Sequence, residues 1–213
     1  MPKSENEHGV NKLEQHMPCI GHLKYSLRPK RDLGQILGMH KLPSGRGKQI
    51  ADGFVRLAEK AAIEYVEARA TLFEFLEMGN ADDEYRAGDH FESCIQSLHR
   101  AINYLERLKS LGYKRGDGSP LVPKPQNMTV LHQSNANSIR EFRDAIEHLE
   151  NDILKGLIPE NQRIGVHLGW DKATIGSHNL GYKEVANWLE QINSMAAILS
   201  EIYVTVGSNE TGK

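Results

Sequence analysis

No run of apolar residues in this 213-residue sequence approaches the roughly 20 that a bilayer-crossing helix needs. The opening stretch, MPKSENEHGVNKLEQH, also lacks the apolar segment of a signal peptide, so a soluble, cytoplasmic chain with no membrane contact is expected. Cysteine is scarce. Cys19 and Cys94 stand far apart, and in a reducing compartment they read as two free thiols, Cys94 being a small apolar residue on a helix face. A disulfide is not expected, and the Asn-x-Thr triplets at Asn127 and Asn209 carry no glycosylation meaning in the cytosol. Low-complexity tracts and internal repeats are missing as well. What remains, 39% hydrophobic and 25% charged residues, is the composition of a folded globule, at a length suited to one domain plus an extension.

The charge is unevenly spread. Residues 1–48 hold nine Lys/Arg against four Asp/Glu (+5), leaving 17 against 24 (−7) for the rest, and the two parts make the net −2. That first stretch also carries four of the ten histidines and is punctuated by Gly and Pro. It fits a solvated tail, and equally an arm that meets phosphate or an acidic partner surface. Residues 1–47 are therefore set apart as a basic N-terminal extension, and residues 48–213 as the helical domain.

From Lys48 onward, Ile50, Phe54, Leu57, Ala61, Tyr65, Ala68, Leu72 and Phe75 recur at gaps of three and four, one buried stripe on a long helix. Gly79 and Asn80 stop it, and Asp82 and Asp83 bring negative charge to the first turn of a second helix. The second stripe is Phe91, Cys94, Leu98, Ile102, Leu105 and Leu108. Residues 112–130 carry Gly116, Gly118, Pro120, Pro123 and Pro125 and read as a long loop. A third helix spans about 135–155, with Ile139, Phe142, Ile146, Leu149 and Ile153 inward and Gly156 beyond its end. Within residues 163–177, IGVHLGWDKATIG predicts a small hairpin around Gly169, Trp170, Asp171 and Lys172. A last helix, about 182–204, carries Val185, Leu189, Ile192, Ala196, Leu199 and Tyr203. The expected fold is all-α, a four-helix up-down bundle with a small β-hairpin before the last helix.

Three attractive sites fail on spacing. The only Glu-x-x-His pair, Glu5 to His8, lies outside every expected helix, so a carboxylate-bridged di-iron bundle is excluded. Around Ser44, Gly45, Arg46, Gly47 and Lys48, a phosphate loop would need Gly where Leu42 stands and Ser or Thr where Gln49 stands. His16, Cys19 and His22 are evenly spaced metal-ligand types, but no fourth ligand is near and Pro18 interrupts them. No metal or cofactor is expected.

The third helix holds a different pattern. Taking roughly 100° per residue with Arg143 at zero, Phe142, Ile146, Leu149 and Ile153 fall at about 240–300°, facing the core. Asp144, Glu147, His148 and Arg140 share the opposite arc with Arg143. Asp144 precedes His148 by one turn, close enough to hold one ring nitrogen. Arginine offers a forked phosphate clamp and histidine a proton acceptor or donor near neutral pH, a combination suited to metal-free RNA cleavage. The same residues also suit a solvated face with weak ion pairs, and periodicity alone does not separate the two.

The run Arg143-Asp144-Ala145-Ile146-Glu147-His148 resembles the motif of the HEPN superfamily, an Arg followed by His after four to six positions on a bundle helix. FESCIQSLHRAI (residues 91–102) and the hairpin leading into YKEVANWL (residues 182–189) are similar to bacterial members, and the resemblance spans roughly 48–204. It implies an endoribonuclease of toxin-antitoxin or phage-defence type that needs no metal, or else a non-catalytic helical module that binds a protein partner or a nucleotide. It further implies a homodimer whose two motif helices meet in a cleft, an RNA substrate, and an antitoxin or other protein partner. By position, Arg143 would clamp the phosphate, His148 would be general base or acid, and Asp144, standing where Asn is common, would orient His148. No Tyr precedes His148, so the variant motif modified by a nucleotidyltransferase is absent. His99 and Arg100 are candidates to line the same cleft without an assigned role, and Trp170 and Trp188 are expected first as core or interface aromatics.

Overall fold

The computed structural model describes residues 3–28, 46–115, 118–158, 164–201 and 204–205. Among them run five helices: α1 (Lys3–His16), α2 (Arg46–Met78), α3 (Ala81–Ser110), α4 (Gln133–Leu154) and α5 (Tyr182–Glu201). Five short strands join them: β1 (Lys114–Arg115), β2 (His167–Leu168), β3 (Lys172–Ile175), β4 (His178–Gly181) and β5 (Val204–Thr205). Ser44, Gly45, Gly116, Arg163, Tyr203 and Asn209, to which the sequence assigned places, lie outside the described residues. No helix among the described residues is long and apolar enough to cross a membrane.

Two local devices separate α2 from α3. Gly79 takes φ +71° and its N–H donates to the Phe75 carbonyl at 2.8 Å, a left-handed helix end that costs glycine little. Asn80 then caps α3, its side-chain oxygen accepting the Asp82 N–H at 3.2 Å, and Asp82, Asp83 and Glu84 sit at the positive end of the helix. So short a link folds α3 back along α2, and these two helices share the most extensive contact among the described elements. The α2 side of the core is rich in small residues, with Ala58, Ala61, Ala62 and Ala68 buried.

α5 packs on α2, and α4 packs on α3 and on strands β3 and β4. Phe91 of α3 meets Tyr182, the first residue of α5, edge to face at 5.7 Å. The Tyr182 hydroxyl donates to the Gly169 carbonyl at 2.9 Å, which ties the turn between β2 and β3 to the start of α5. The fold is thus mostly helical with a small antiparallel sheet, and that sheet is larger than the expected hairpin. Its order is β2-β3-β4, with Leu168 opposite Ala173 and Ala173 opposite Leu180. The third strand follows a turn at Gly176, where φ is +55°. Sequence patterning missed it because Leu180 is its only large apolar residue. The sheet lies close to α3: a Cβ added at Gly88 would stand 2.9 Å from the Val166 carbonyl oxygen. A separate two-stranded ribbon pairs β1 with β5, Lys114 opposite Thr205.

The first residues contribute to the same core. Leu13, Met17, Ile20, Leu23 and Leu27 are buried, and α1 packs on α2. Arg69 of α2 donates from Nε to the Met17 carbonyl at 2.9 Å, Lys24 pairs with Glu67, and Arg28 stands 3.4 Å from the buried Glu59. Among the described residues of this stretch, Lys24 and Arg28 thus meet carboxylates of α2.

Candidate functional site

Ile139, Phe142 and Ile146 anchor α4, all of them buried, while Leu149 is half-buried and Ile153 is 40% exposed. The expected inward stripe therefore holds over its first three members and weakens toward the end. There the last turn of α4 runs past the core, leaving Leu154 exposed as well. The outward arc is as the helical wheel requires: Arg140, Glu147 and His148 are exposed, and Arg143 and Asp144 are partly so.

Arg143 is held by carboxylates of its own helix. Nη2 lies 2.9 Å from Asp144 Oδ1, and Nη1 pairs with Glu147 one turn on. Its Nε is buried and makes no hydrogen bond. One guanidinium between two carboxylates leaves this patch formally negative, and a phosphate would have to displace at least one of them to be gripped by both forks.

The structure joins Arg143 to Asp144 but not to His148. No hydrogen bond links Asp144 to His148 among the described residues; the Asp144 carboxylate turns to Arg143 instead. Five residues of helix separate Arg143 from His148, roughly 140° of rotation. The imidazole accordingly faces a groove of about 710 Å³ between α4 and the β3–β4 turn. Glu141, Asp144, Asp152, Lys155 and His178 line this groove with His148, so its charge is predominantly acidic.

α3 supplies a further residue to which the sequence gave no role. His99 of α3 is half-buried, and it lies within electrostatic reach of Arg143, Asp144, Glu147 and Arg140. Burial pushes its imidazole below the ordinary histidine range, and the positive charges of Arg143 and Arg140 push the same way. Asp144 and Glu147 pull in the opposite direction without cancelling the shift. The signal in the sequence was its position one residue after Leu98, at the edge of the α3 stripe; its neighbours on α4 are 40 and more residues away in the chain.

The remaining candidates divide. Arg100 is exposed, and Trp188 is buried in the core. Trp170 is 45% exposed at the tip of the β2–β3 turn, with the Lys12 ammonium 5.8 Å from its ring centre. Among the described residues no group of three or more His, Cys, Asp or Glu is placed to hold a metal ion, and His16, Cys19 and His22 do not converge on one. Comparison with protein-family models, with curated proteins and with solved structures gives no match to this chain.

Proposed function

We propose that this protein is an HEPN-like four-helix-bundle endoribonuclease that cleaves RNA without a metal and works as a cytoplasmic homodimer. The observation that carries the reading is the placement of Arg143, Asp144 and His148 on the polar arc of one helix, His148 exposed and Arg143 and Asp144 partly so. In the proposed reaction an imidazole takes the proton of a ribose 2′-hydroxyl, the 2′-oxygen bonds to the adjacent phosphorus, and the bond to the 5′-oxygen breaks as that oxygen gains a proton. Arg143 steadies the charge on the phosphoryl oxygens, and His148 exchanges protons with the reacting oxygens. A second copy of α4 across a twofold axis would enclose this polar face and exclude water from it.

A second reading is a non-catalytic helical module that binds a protein partner. It is favoured by the neutralisation of Arg143 by Asp144 and Glu147 and by the acidic groove beside His148, both of which oppose binding of a polyanion. The two readings part in one experiment: cleavage of RNA by the full-length protein with a chelator present, for the wild type, Arg143→Gln and His148→Gln. The ribonuclease reading requires activity in the wild type and loss in both variants. RNA left intact by the wild type, or cut equally by all three, leaves the binding module.

A further inference from the structure

We infer that the groove between α4 and the β3–β4 turn docks an amphipathic helix of a partner protein, one whose apolar stripe is flanked by Lys and Arg. The inference rests on the partner-binding reading and gives that partner a surface and a chemistry.

The lining of the groove repeats with the helix. Glu141, Asp144, His148, Asp152 and Lys155 follow at gaps of three or four, so one face of α4 and the residue capping it form a single wall. At about 1.5 Å per residue that wall runs for roughly 20 Å, a length matched by four turns of a second helix. The other wall is built in advance, because Ile175 pairs with His178 across a turn at Gly176. A trough of this length and of about 710 Å³ suits a helix laid along α4 better than a compact small molecule.

The apolar part of the lining supplies the stripe's counterpart. Ala145 and Leu149 of α4 line the groove with Ile175 of β3, and Leu157, 67% exposed, lines it where α4 outruns the core. Ile153, Leu154 and Ile164 are exposed in the same stretch of chain, and large aliphatic side chains gathered in this way mark a surface that a partner covers. Charge then selects the partner. Three carboxylates, Glu141, Asp144 and Asp152, stand against the single ammonium of Lys155, which leaves the lining formally −2. Asp144 shares its charge with Arg143, but Glu141 and Asp152 pair with no cation among the described residues. A polyanion is repelled there, and α4 of a second copy would bring the same carboxylates, so the occupant is a different chain that carries cations.

Fluorescence anisotropy on the full-length protein at physiological salt tests the assignment. The probe is a labelled helical peptide of Leu and Lys, about four turns long, and its counterpart carries Glu for Lys. The Lys peptide is expected to bind saturably and the Glu peptide to show no binding. Asp152→Lys and Leu157→Ser are each expected to weaken the Lys peptide by roughly three- to tenfold, the scale of one charge pair or one covered aliphatic side chain. Glu150→Lys, the same charge change on α4 outside the groove, is expected to leave it unchanged. Amide shifts of the wild type, followed by NMR as the peptide is added, locate the site without any variant, and changes along Glu141–Lys155 and the β3–β4 turn are expected. Equal binding of the two peptides, binding of neither, or shifts confined to another surface overturns the inference and leaves the partner-binding reading to a different face. Self-association in sedimentation that Leu157→Ser abolishes gives the groove to a second copy and overturns it likewise. Failure of the partner-binding reading shows separately, as RNA cleavage by the wild type that is lost in both Arg143→Gln and His148→Gln.

Discussion

Phe91 of α3 meets Phe142 of α4 edge to face, the ring centres 6.3 Å apart and the planes inclined at 71°. Both rings are fully buried, and Arg143 follows Phe142 directly, so this contact sets how α4 presents its polar arc. Replacing Phe142 by Ala removes the ring and leaves a cavity, at a cost of about 3–5 kcal/mol, whereas Leu at this position is expected to cost less. Denaturant unfolding of the two variants measures the difference, and near-equal stability of Phe142→Ala and the wild type would contradict the anchoring role.

Gly88 sets the distance between α3 and the sheet. A methyl group there would press on the Val166 carbonyl oxygen, a backbone atom that moves only with the strand-bearing segment. Gly88→Ala is expected to lose roughly 1–3 kcal/mol despite the helix-favouring residue it introduces. A rise in melting temperature would show that the sheet yields freely.

Glu92 gives a pH signature of the fold. Its carboxyl is pushed up, first by burial and then by the nearby Asp89. A carboxyl whose pKa is raised on folding favours the native state fully below the unfolded value of about 4.3, and that advantage is lost as pH rises through the folded value. Glu92→Gln should therefore match the wild type in acid and exceed it in stability near neutral pH, with the acceptor for Gln96 retained. Unfolding curves at the two pH values check the sign; a variant less stable at neutral pH would reverse it.

The two thiols should be distinguishable in the native protein. Burial pushes the Cys94 thiol well above the ordinary range, and Cys19 is exposed. A thiol reagent is expected to modify one cysteine in the native state and two after denaturation. Two fast-reacting thiols in the native protein would mean that α3 opens readily at Cys94.

Asp144→Asn releases one of the two carboxylates from Arg143. On the ribonuclease reading RNA affinity should then rise, by roughly two- to tenfold at low salt, with the gain shrinking as salt screens the site. Fluorescence anisotropy with a labelled RNA follows it, and unchanged affinity would argue that phosphate does not reach Arg143.

Much of the helical framework was legible in the chain, because gaps of three and four record which side of a helix is dry. The stripes of α2 and α3, the Gly79–Asn80 break and the β2–β3 turn follow from such local signals. α1 and the residues after it were not legible as core. Leu13, Met17, Ile20, Leu23 and Leu27 do have helical spacing, but Pro18 and Gly21 interrupt it and the surrounding basic charge suggests solvent. Their partners Glu59, Glu67 and Arg69 lie on α2, some 30 to 50 residues later, where local pattern cannot see them. The outward arc of α4 was readable from the wheel. The bond from Asp144 to Arg143 rather than His148 depends on rotamers and on the packing of α3 against α4, which spacing does not specify.

Asp144 stands astride α4: it grips Arg143 on one flank and forms part of the wall around His148 on the other. The carboxylate that neutralises part of the guanidinium charge is thus the same one that adds to the acidity of the groove. A substitution at Asp144 therefore changes the electrostatics on both sides of the helix at once, and its effects there are not separable by that substitution alone.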